Sequence, residues 1–141
     1  MISTMEKVLI LRSVPMLRAL PSESLLPVAQ IAAEVDFVDG DTVIREGDEG
    51  DCLYVIVSGE VDVLVGEGKR VASMSARSTI GEMAVLADIA RTASCVARGD
   101  VLALRIDRED FNDLVADHGQ IGLGIVRELI GRLNEANRRS A

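Results

Sequence analysis

The sequence predicts a mainly β domain with helices at both ends. From Val35 to Asp107, short runs rich in β-branched residues recur at intervals of about 8–12 residues, separated by glycine-containing turns, which is typical of a β-sandwich or jelly roll. The segments on either side carry apolar residues at helical spacing instead. Because the chain has 141 residues, we expect a single domain, 1–141, with N-terminal helices in 1–34, strands in 35–107 and C-terminal helices in 108–141.

The composition restricts the class of protein further. With 48% hydrophobic residues, the chain is expected to fold around a core, and with 2% aromatic residues that core must be aliphatic. The net charge of −8 argues against nucleic acid as a direct partner, because phosphate contacts dominate such affinity. An anionic ligand would have to be held by a local arrangement of groups rather than by the overall field.

The chain has two cysteines and one histidine, which argues against a disulfide framework, a His/Cys metal centre and a catalytic triad. Cys52 and Cys95 lie in strand-like runs, are expected to be small core residues and make no disulfide framework. His118, the single histidine, falls in a predicted helix–helix connection, so neither a metal centre nor a catalytic triad is expected and the protein is not predicted to be an enzyme. Without a secretion signal or an apolar run near 20 residues, we expect a cytoplasmic protein, or a domain on the cytoplasmic side of a larger membrane protein.

Two helices are predicted before the strands. Residues 3–12 form the first, capped by Ser3 or Thr4. The second covers residues 23–34 and is capped by Ser22 or by Ser24. With Ser24 as the cap, Pro27 falls in the first turn and loses no hydrogen bond, and the sequence does not choose between the two.

The β region contains seven strand-like runs. The turn clusters Ser58-Gly59-Glu60 and Arg98-Gly99-Asp100 are predicted hairpins, and the acid-rich stretch 46–51 is interpreted as a solvated turn because it lacks the ligand pattern of a calcium loop. The run 52–58 is apolar on both alternating faces, so both are expected to be buried. The runs are Val35–Val38, Thr42–Arg45, Cys52–Ser58, Val61–Val65, Arg70–Met74, Thr92–Ala97 and Val101–Ile106.

Two helices are predicted after the strands. Asp107 begins one over 108–117, with Asp110 in a capping-box-like position. The last helix runs from about 120 to 138 with an apolar stripe. Three glycines weaken it, which suits either a movable lid or close packing on the barrel or a dimer partner. The stripe is Ile121, Ile125, Leu129, Ile130, Leu133 and Ala136, and the glycines are Gly122, Gly124 and Gly131.

The most informative segment is 80–94, IGEMAVLADIARTAS, which we call the cassette. Gly81 permits close approach of the backbone to a ligand, and residues 83–86 fit one helical turn whose free N–H groups suit an anion. Arg91 supplies a permanently charged fork for phosphate oxygens. Glu82 only accepts hydrogen bonds when ionised, so it should face hydroxyl groups. These residues indicate a site for one small ligand with a phosphate and a sugar.

The cassette and the stretch REGDEGDCLYVIVSGEV before it resemble the cyclic nucleotide-binding domain family. That family includes regulatory subunits of protein kinase A, cyclic nucleotide-gated channels and the catabolite activator protein. The resemblance extends from about Val14 to Asn134 and implies an eight-stranded antiparallel jelly-roll barrel with flanking helices. It implies a regulatory domain that binds cAMP or cGMP, with no cofactor and no metal.

The resemblance implies a role for each matching position. Glu82 would accept from the ribose 2′-hydroxyl, Arg91 would pair with the cyclic phosphate, and the N–H groups of Met83 and Ala84 would point at the same phosphate. Thr92 would bond either the phosphate or a guanine in the syn form. The predicted contact residues are Ile80, Gly81, Glu82, Met83, Ala84, Arg91, Thr92 and Ala93.

The last helix of the family closes over the base. By position, Leu129, Arg132 and Leu133 would cap the base here. The sequence departs from the family pattern at Ile80, where Phe is common, and at Ala90, where Pro is common. Ile80 alters the packing behind the cassette, and Ala90 makes the backbone before Arg91 less rigid than proline would. Neither change removes a ligand contact.

Three function classes follow from these observations. We predict a ligand sensor that favours cAMP over cGMP, whose effector is unidentified and which works within or beside a larger channel, transporter or signalling protein. The seven residues after Asn134 are too few for a helix-turn-helix, and the final helix could join two copies in a homodimer. The alternatives are a ligand-free interaction module of the same fold and a cupin-like metalloenzyme, which the single histidine disfavours.

Overall fold

The computed structural model describes residues 1–18 and 20–140, and the chain begins with helices α1 (Thr4–Arg12) and α2 (Ser22–Ile31). Helix α1 starts in a capping box. The Ser3 hydroxyl accepts from the Glu6 N–H at 3.2 Å, and the Glu6 carboxylate accepts from the Ser3 N–H at 3.3 Å. The predicted first helix and its Ser3 cap are therefore confirmed.

The start of α2 differs from both predicted caps. Pro21 occupies the cap position and no side chain caps the helix. The hydroxyl of Ser22 instead accepts a hydrogen bond from the Arg12 guanidinium. Pro27 consequently lies in the helix interior and supplies no N–H there. Burial of Leu25, Val28 and Ala29 stabilises the helix despite that missing bond.

The described residues form six strands instead of eight. Both predicted hairpins lie inside continuous strands, because Gly59 and Gly99 adopt φ values of 96° and 74° that let a strand bend without ending. A Cβ on Gly59 would lie 2.3 Å from the Asp100 carbonyl oxygen, so glycine is required at this crossing. The strands are β1 (Ala33–Phe37), β2 (Thr42–Ile44), β3 (Cys52–Val65), β4 (Lys69–Met74), β5 (Thr79–Ile80) and β6 (Ser94–Asp107).

These strands form one antiparallel sheet in the order β1-β6-β3-β4, with β2 paired to β6 and β5 paired to β3. Strands β3 and β6 pair along almost their whole length, from Cys52 opposite Asp107 to Leu64 opposite Ser94. The mainly β class with flanking helices is confirmed, whereas the closed eight-stranded barrel is not, because within the described part of the chain β1 and β4 remain edges.

Apolar residues fill both faces of the central strands. Alternate positions of β3 and β6 divide between a cluster packed against the helices, which we call the helix-side core, and a second one, the cavity-side core. The prediction that 52–58 is buried on both faces is confirmed for Cys52–Ile56. From these strands the helix-side core takes Leu53, Val55, Leu104 and Ile106, and the cavity-side core takes Cys52, Tyr54, Ile56, Val61, Cys95, Ala97, Val101 and Ala103.

Between β5 and β6 lies the short helix α3 (Glu82–Ala87), and the chain ends in α4 (Arg108–Asp117) and α5 (Gly119–Ser140). The predicted bounds of α4 are confirmed, but the Asp107 side chain does not cap it. That carboxylate accepts from Arg105 Nε at 2.8 Å instead.

The two halves of α5 differ in environment. Ile121 and Ile125 are buried in the helix-side core, and Gly122 and Gly124 allow close packing on Val115 and Leu20. Beyond Ile125 the predicted apolar stripe is not covered by other parts of the chain: Leu129, Ile130 and Leu133 are exposed. Gly131 meets no neighbouring atom that would explain its presence.

Two structural features are absent from the described residues. No helix among them has the length and apolarity that crossing a membrane requires. Their histidines, cysteines and carboxylates also form no cluster that could hold a metal ion.

Candidate functional site

A cavity of about 230 Å³ lies on the sheet face opposite the helix-side core and opens to solvent. All eight predicted contact residues line it. The sequence analysis missed the other lining residues, which come from strand positions that looked like ordinary core. The predicted residues are Ile80, Gly81, Glu82, Met83, Ala84, Arg91, Thr92 and Ala93, and the others are Ile44, Val63, Ala72, Met74, Thr79 and Cys95.

Polar and apolar groups occupy different parts of the cavity wall. Glu82 and Arg91 are the only charged residues in the lining and belong to the cassette. Val63 and Ala72 are directly paired across β3 and β4, and Met74 lies two residues further along β4. Period-two alternation in β3 and β4 was the signal for this wall, but β4 is exposed except at the half-buried Met74, so its sequence did not mark it as part of a site.

Arg91 is buried, with 5% of its side chain exposed, and its guanidinium contacts two backbone carbonyls, the Cys52 sulfur and one carboxylate. Nη2 donates to the Cys52 carbonyl at 2.7 Å, and Nη1 donates to the Gly81 carbonyl at 3.1 Å. The Asp51 carboxylate lies 3.7 Å from Nη2. These contacts supply much of the hydrogen bonding that burial of a guanidinium requires.

Gly81 is required at its position for two physical reasons. Its φ of 82° belongs to the left-handed region that glycine tolerates best. A Cβ there would lie 2.5 Å from Arg91 Nη1 and 2.9 Å from Ile44 Cδ1. Any other residue would therefore strain the backbone and displace the guanidinium.

The acid-rich turn at 46–51 does more than face solvent. Its backbone holds the chain at Arg91 from both sides: the Arg91 N–H donates to the Asp48 carbonyl at 2.8 Å, and the Gly47 N–H donates to the Arg91 carbonyl at 2.9 Å. Asp51 adds its carboxylate to the guanidinium. The interpretation as a merely solvated turn was therefore incomplete, because backbone pairing between distant segments leaves no side-chain pattern.

Helix α3 connects the cavity to the protein interior. Ala84 and Val85 are buried. Ala84 packs so closely on Gly50 that a Cβ added to Gly50 would lie 2.3 Å from the Ala84 Cβ. Met83 is 57% exposed at the rim of the cavity. Met74, by contrast, packs against the cavity-side core.

Burial raises the pKa of the Glu82 carboxyl above its usual value. A hydrogen bond to its own backbone and the positive charges of Arg132 and Arg91 oppose that rise. Burial also raises the pKa of the Cys95 thiol, to about 11, and that of Cys52. Both thiols are buried and protonated at neutral pH, in agreement with their prediction as core residues.

The predicted base-capping residues lie in the exposed half of α5. Arg132 Nε is 3.8 Å from Glu128, one turn earlier, and Leu133 is 60% exposed. Among the described residues, Leu129, Arg132 and Leu133 do not line the cavity as it stands. Arg132 is nevertheless near enough for its charge to act on Glu82. The capping role stays a prediction.

Comparison with known proteins gives one family. The family described as the cyclic nucleotide-binding domain matches residues 34–118. The cAMP-dependent protein kinase regulatory subunit of Colletotrichum orbiculare is 36% identical over 106 residues, which cover 74% of this chain and 27% of that protein. Human cGMP-dependent protein kinase 2 is 37% identical over 112 residues, which cover 74% of this chain and 15% of that protein.

A solved structure agrees with these relatives. The co-crystal structure of the regulatory domain of Toxoplasma gondii PKA with cAMP superimposes with a TM-score of 0.74 at 29% identity. The match covers 81% of this chain and 45% of that one. The chain thus spans less than a third of the length of the curated relatives given above.

Proposed function

Since this chain belongs to the cyclic nucleotide-binding domain family, a regulatory ligand-binding fold, we propose that its cavity binds a cyclic nucleotide, with cAMP favoured and cGMP as the alternative. The observation that carries the proposal is the composition of the cavity. One buried arginine and one carboxylate share a site whose remaining lining is mostly apolar. A cyclic nucleotide needs this combination, because it joins one negative charge, one free hydroxyl and a flat purine.

Arg91 holds the cyclic phosphate in this proposal. Its present contacts are to the carbonyls of Cys52 and Gly81 and to the exposed carboxylate of Asp51. A phosphate oxygen replaces the weakest of these, the 3.7 Å contact to Asp51, without leaving the carbonyls unpaired. The N–H groups of Met83 and Ala84 at the start of α3 complete the phosphate site.

Glu82 accepts a hydrogen bond from the ribose 2′-hydroxyl. Its carboxylate is half buried and lines the same cavity as Arg91, so it can hold the hydroxyl while Arg91 holds the phosphate. The purine lies against Val63, Ala72 and Met74, where apolar contact suits its face. Thr92 is exposed and its hydroxyl is available either to the phosphate or to a guanine.

The exposed half of α5 closes over the base when the ligand binds. Leu129 and Leu133 are apolar and exposed, so covering the purine removes their surface from water. Arg132 already acts electrostatically on Glu82 and moves nearer to the ligand in the closed form. Closure is a population shift driven by contacts that exist only when the cavity is occupied.

The same half of α5 offers a surface for a second copy of the chain. Leu123, Val126, Ile130 and Leu133 are exposed and follow one another at intervals of three and four residues, which is the a/d spacing of a coiled coil. A homodimer through this helix, and an effector protein or domain controlled by the closure, are parts of the proposal. Sedimentation analysis with and without cAMP distinguishes a dimeric seam from a lid that serves one chain.

The direct test is a titration of the purified chain with cAMP, with cGMP and with 5′-AMP, which lacks the cyclic phosphate. At about 100 times the dissociation constant a ligand adds roughly 2.7 kcal/mol of stability, which raises the melting temperature of a domain of this size by several degrees. We expect shifts with cAMP and cGMP, the larger with cAMP, and none with 5′-AMP. No shift with either cyclic nucleotide at millimolar concentration would favour the ligand-free interaction module.

A further inference from the structure

Charged and polar side chains from β3, β4 and β6 meet on one face of the sheet, which we call the polar cluster. On β3 they alternate with Val61 and Val63, which face the cavity side. The Asp62 carboxylate lies between two arginines, with its Oδ1 3.7 Å from one guanidinium on β4 and 3.6 Å from another on β6. The members of the polar cluster are Glu60, Asp62, Arg70, Ser73 and Arg98.

A bulge in β4 brings Arg70 and Ser73 into the same cluster. The register of β4 with β3 shifts at Val71, which is an extra residue in the ladder. In a regular strand two residues three positions apart point to opposite faces. Across the bulge Arg70 instead contacts Asp62, and the Ser73 hydroxyl accepts a hydrogen bond from Arg98 Nη2 at 2.9 Å.

The chain contains this spacing of arginine and serine twice. Arginine stands three residues before serine in the segment 70–73, RVAS, and again in the segment 91–94, RTAS. In the first segment both side chains are accessible, because Arg70 and Ser73 are exposed on a strand that lies at an edge of the sheet among the described residues.

The second segment is not accessible in the same way. Arg91 is 5% exposed and contributes to the cavity wall. Ser94 is half buried, and its hydroxyl accepts from the Glu46 N–H at 2.9 Å. Strand β6 is also paired with both β2 and β3 near this residue. Only the first segment is therefore open to the active site of another protein.

We propose that Ser73 is a phosphorylation site for a serine kinase with an acidic peptide groove. Arg70 and Lys69, three and four residues before Ser73, are both exposed and supply the positive charges for such a groove. In the reaction the Ser73 Oγ attacks the γ-phosphorus of a nucleoside triphosphate. The bond from that phosphorus to the departing nucleoside diphosphate breaks, and the hydroxyl proton passes to a base of the kinase.

The new phosphate changes the charge balance of the polar cluster, which has two arginines and two carboxylates. It adds a charge of about −1.5 to −2 at neutral pH. Arg98 transfers to the phosphate, because charge-assisted hydrogen bonds to phosphate are strong. Asp62 lies directly opposite Ser73 in the ladder, and its Oδ1 has no hydrogen-bond partner in the described part of the chain. Phosphorylation therefore sets like charges opposite each other across β3 and β4, which weakens their pairing.

Weaker pairing of β4 affects the ligand cavity. Ala72 and Met74, the two neighbours of Ser73 in the chain, line that cavity. Strand β4 is joined to the sheet through β3 alone among the described strands, so nothing on its other side holds it in place. We expect phosphorylation to lower the affinity for cyclic nucleotide about two- to fivefold. This effect on affinity rests on the proposed function, whereas the modification of Ser73 does not.

The first experiment treats the folded full chain with ATP and a serine kinase that selects arginine three positions before its acceptor. Mass spectrometry is expected to find phosphate on Ser73 and not on Ser94. Ser73→Ala should abolish the modification, and Arg70→Gln should slow it about tenfold or more. Arg98→Gln is the matched control, because Arg98 contacts Ser73 but lies 25 residues away along the chain, so the rate should not fall.

The second experiment measures affinity for cAMP and cGMP by calorimetry on the full chain with phosphoserine incorporated at position 73 during synthesis. The unmodified chain is the reference, and the phosphorylated one should bind about two- to fivefold more weakly. Asp62→Asn removes the opposing charge, so in that variant the two forms should differ by less than about twofold.

Phosphate on Ser94 in place of Ser73, phosphate on neither serine, or a wild-type rate for Arg70→Gln would overturn the assigned site. Equal affinities of the phosphorylated and unmodified chains, or an undiminished loss in Asp62→Asn, would overturn the effect on the cavity and leave the proposed function intact. If neither form binds cAMP or cGMP, the proposed function fails and the effect on affinity falls with it, while the phosphorylation of Ser73 is decided by the first experiment.

Discussion

The two faces of the sheet are built from the same strands but are completed differently. On the helix-side face, side chains from five helices join Leu53, Val55, Leu104 and Ile106 in one buried apolar cluster. On the cavity-side face, the apolar cluster around Ile44, Ile80 and Cys95 stops short and leaves about 230 Å³ open to solvent. The first arrangement stabilises the fold, and the second leaves room for a ligand.

The polar groups differ between the faces in the same way. The helix-side core as described consists of apolar residues. The cavity-side wall contains Arg91, which is fully buried and held by backbone carbonyls, and Glu82, whose burial works against its charge. Groups that lower stability when buried are therefore concentrated where a ligand can compensate them.

The largest effect on stability is expected from Leu104→Ala in the helix-side core. Leu104 is fully buried, and truncation of such a leucine costs about 2–5 kcal/mol through lost transfer energy and the cavity that remains. Urea unfolding measures this loss. The affinity of the remaining folded protein for cAMP should not change, because Leu104 faces away from the site.

Val63→Ala is the counterpart on the other face. Val63 is half buried beside the open cavity, so its truncation should lower the unfolding free energy by less than about 1.5 kcal/mol while weakening the ligand. Equal stability losses in the two variants would remove the distinction between the faces.

The second prediction concerns Arg91→Ala. Removal of one partner from a buried, hydrogen-bonded charge pair costs about 2–5 kcal/mol of binding free energy, so cAMP affinity should fall at least 30-fold by calorimetry. Stability should fall by a smaller amount, about 1–2 kcal/mol, because the carbonyl of Cys52 loses its donor.

Arg98→Ala provides the control for that variant. Arg98 is a surface residue that pairs with Glu60 and Asp62, away from the cavity. Its truncation should leave affinity unchanged. If both variants weaken binding alike, the effect of Arg91 is one of net charge rather than of a specific contact.

The fold class and the positions of the flanking helices could be predicted because they depend on local spacing. Ser3 with Glu6, and Ile121 with Ile125, are signals within a few residues of one another. The strand count could not be predicted. Whether Gly59 ends a strand or bends it depends on how closely the Asp100 carbonyl approaches, which is a contact 41 residues away along the chain.

The cassette residues could be found because phosphate and sugar chemistry restricts the residue types in one short segment. The apolar wall of the cavity and the turn that holds Arg91 could not be found from the sequence. Ala72 and Met74 join the site only through the register of β3 with β4, and the Asp48 carbonyl does so through a backbone hydrogen bond that any residue could make.

The third prediction tests whether one cavity-side position contributes to both stability and ligand binding. Gly81→Ala places a Cβ 2.5 Å from Arg91 Nη1 in a left-handed backbone, which should lower the unfolding free energy by about 1–3 kcal/mol and weaken cAMP binding as well. Gly40→Ala is the matched control, because Gly40 also has a left-handed φ, 86°, but no atom lies within 4 Å of its absent Cβ. That change should impose the backbone strain without displacing Arg91, and it should leave affinity unaltered.

The smallest effect is expected from the titration of Glu82. Burial raises the pKa of the Glu82 carboxyl in the folded chain, so this carboxyl binds a proton more readily in the folded state than in the unfolded state. The empty protein therefore gains stability from this group below the unfolded pKa and loses that contribution as the pH rises through the raised folded pKa. Protonation of Glu82 has the opposite effect on ligand affinity and weakens it, because the ionised carboxylate accepts a hydrogen bond from the ribose hydroxyl more strongly.

Affinity for cAMP should accordingly fall as the pH is lowered through the raised pKa, beginning at a higher pH than an exposed glutamate would give. The loss should be about fivefold, the difference between a charge-assisted and a neutral hydrogen bond. Calorimetry across this range in the wild type and in Glu82→Gln measures it. The Gln variant should bind more weakly at neutral pH and show no such fall. A parallel fall in both proteins would assign the pH dependence to another group and remove Glu82 from the ribose site.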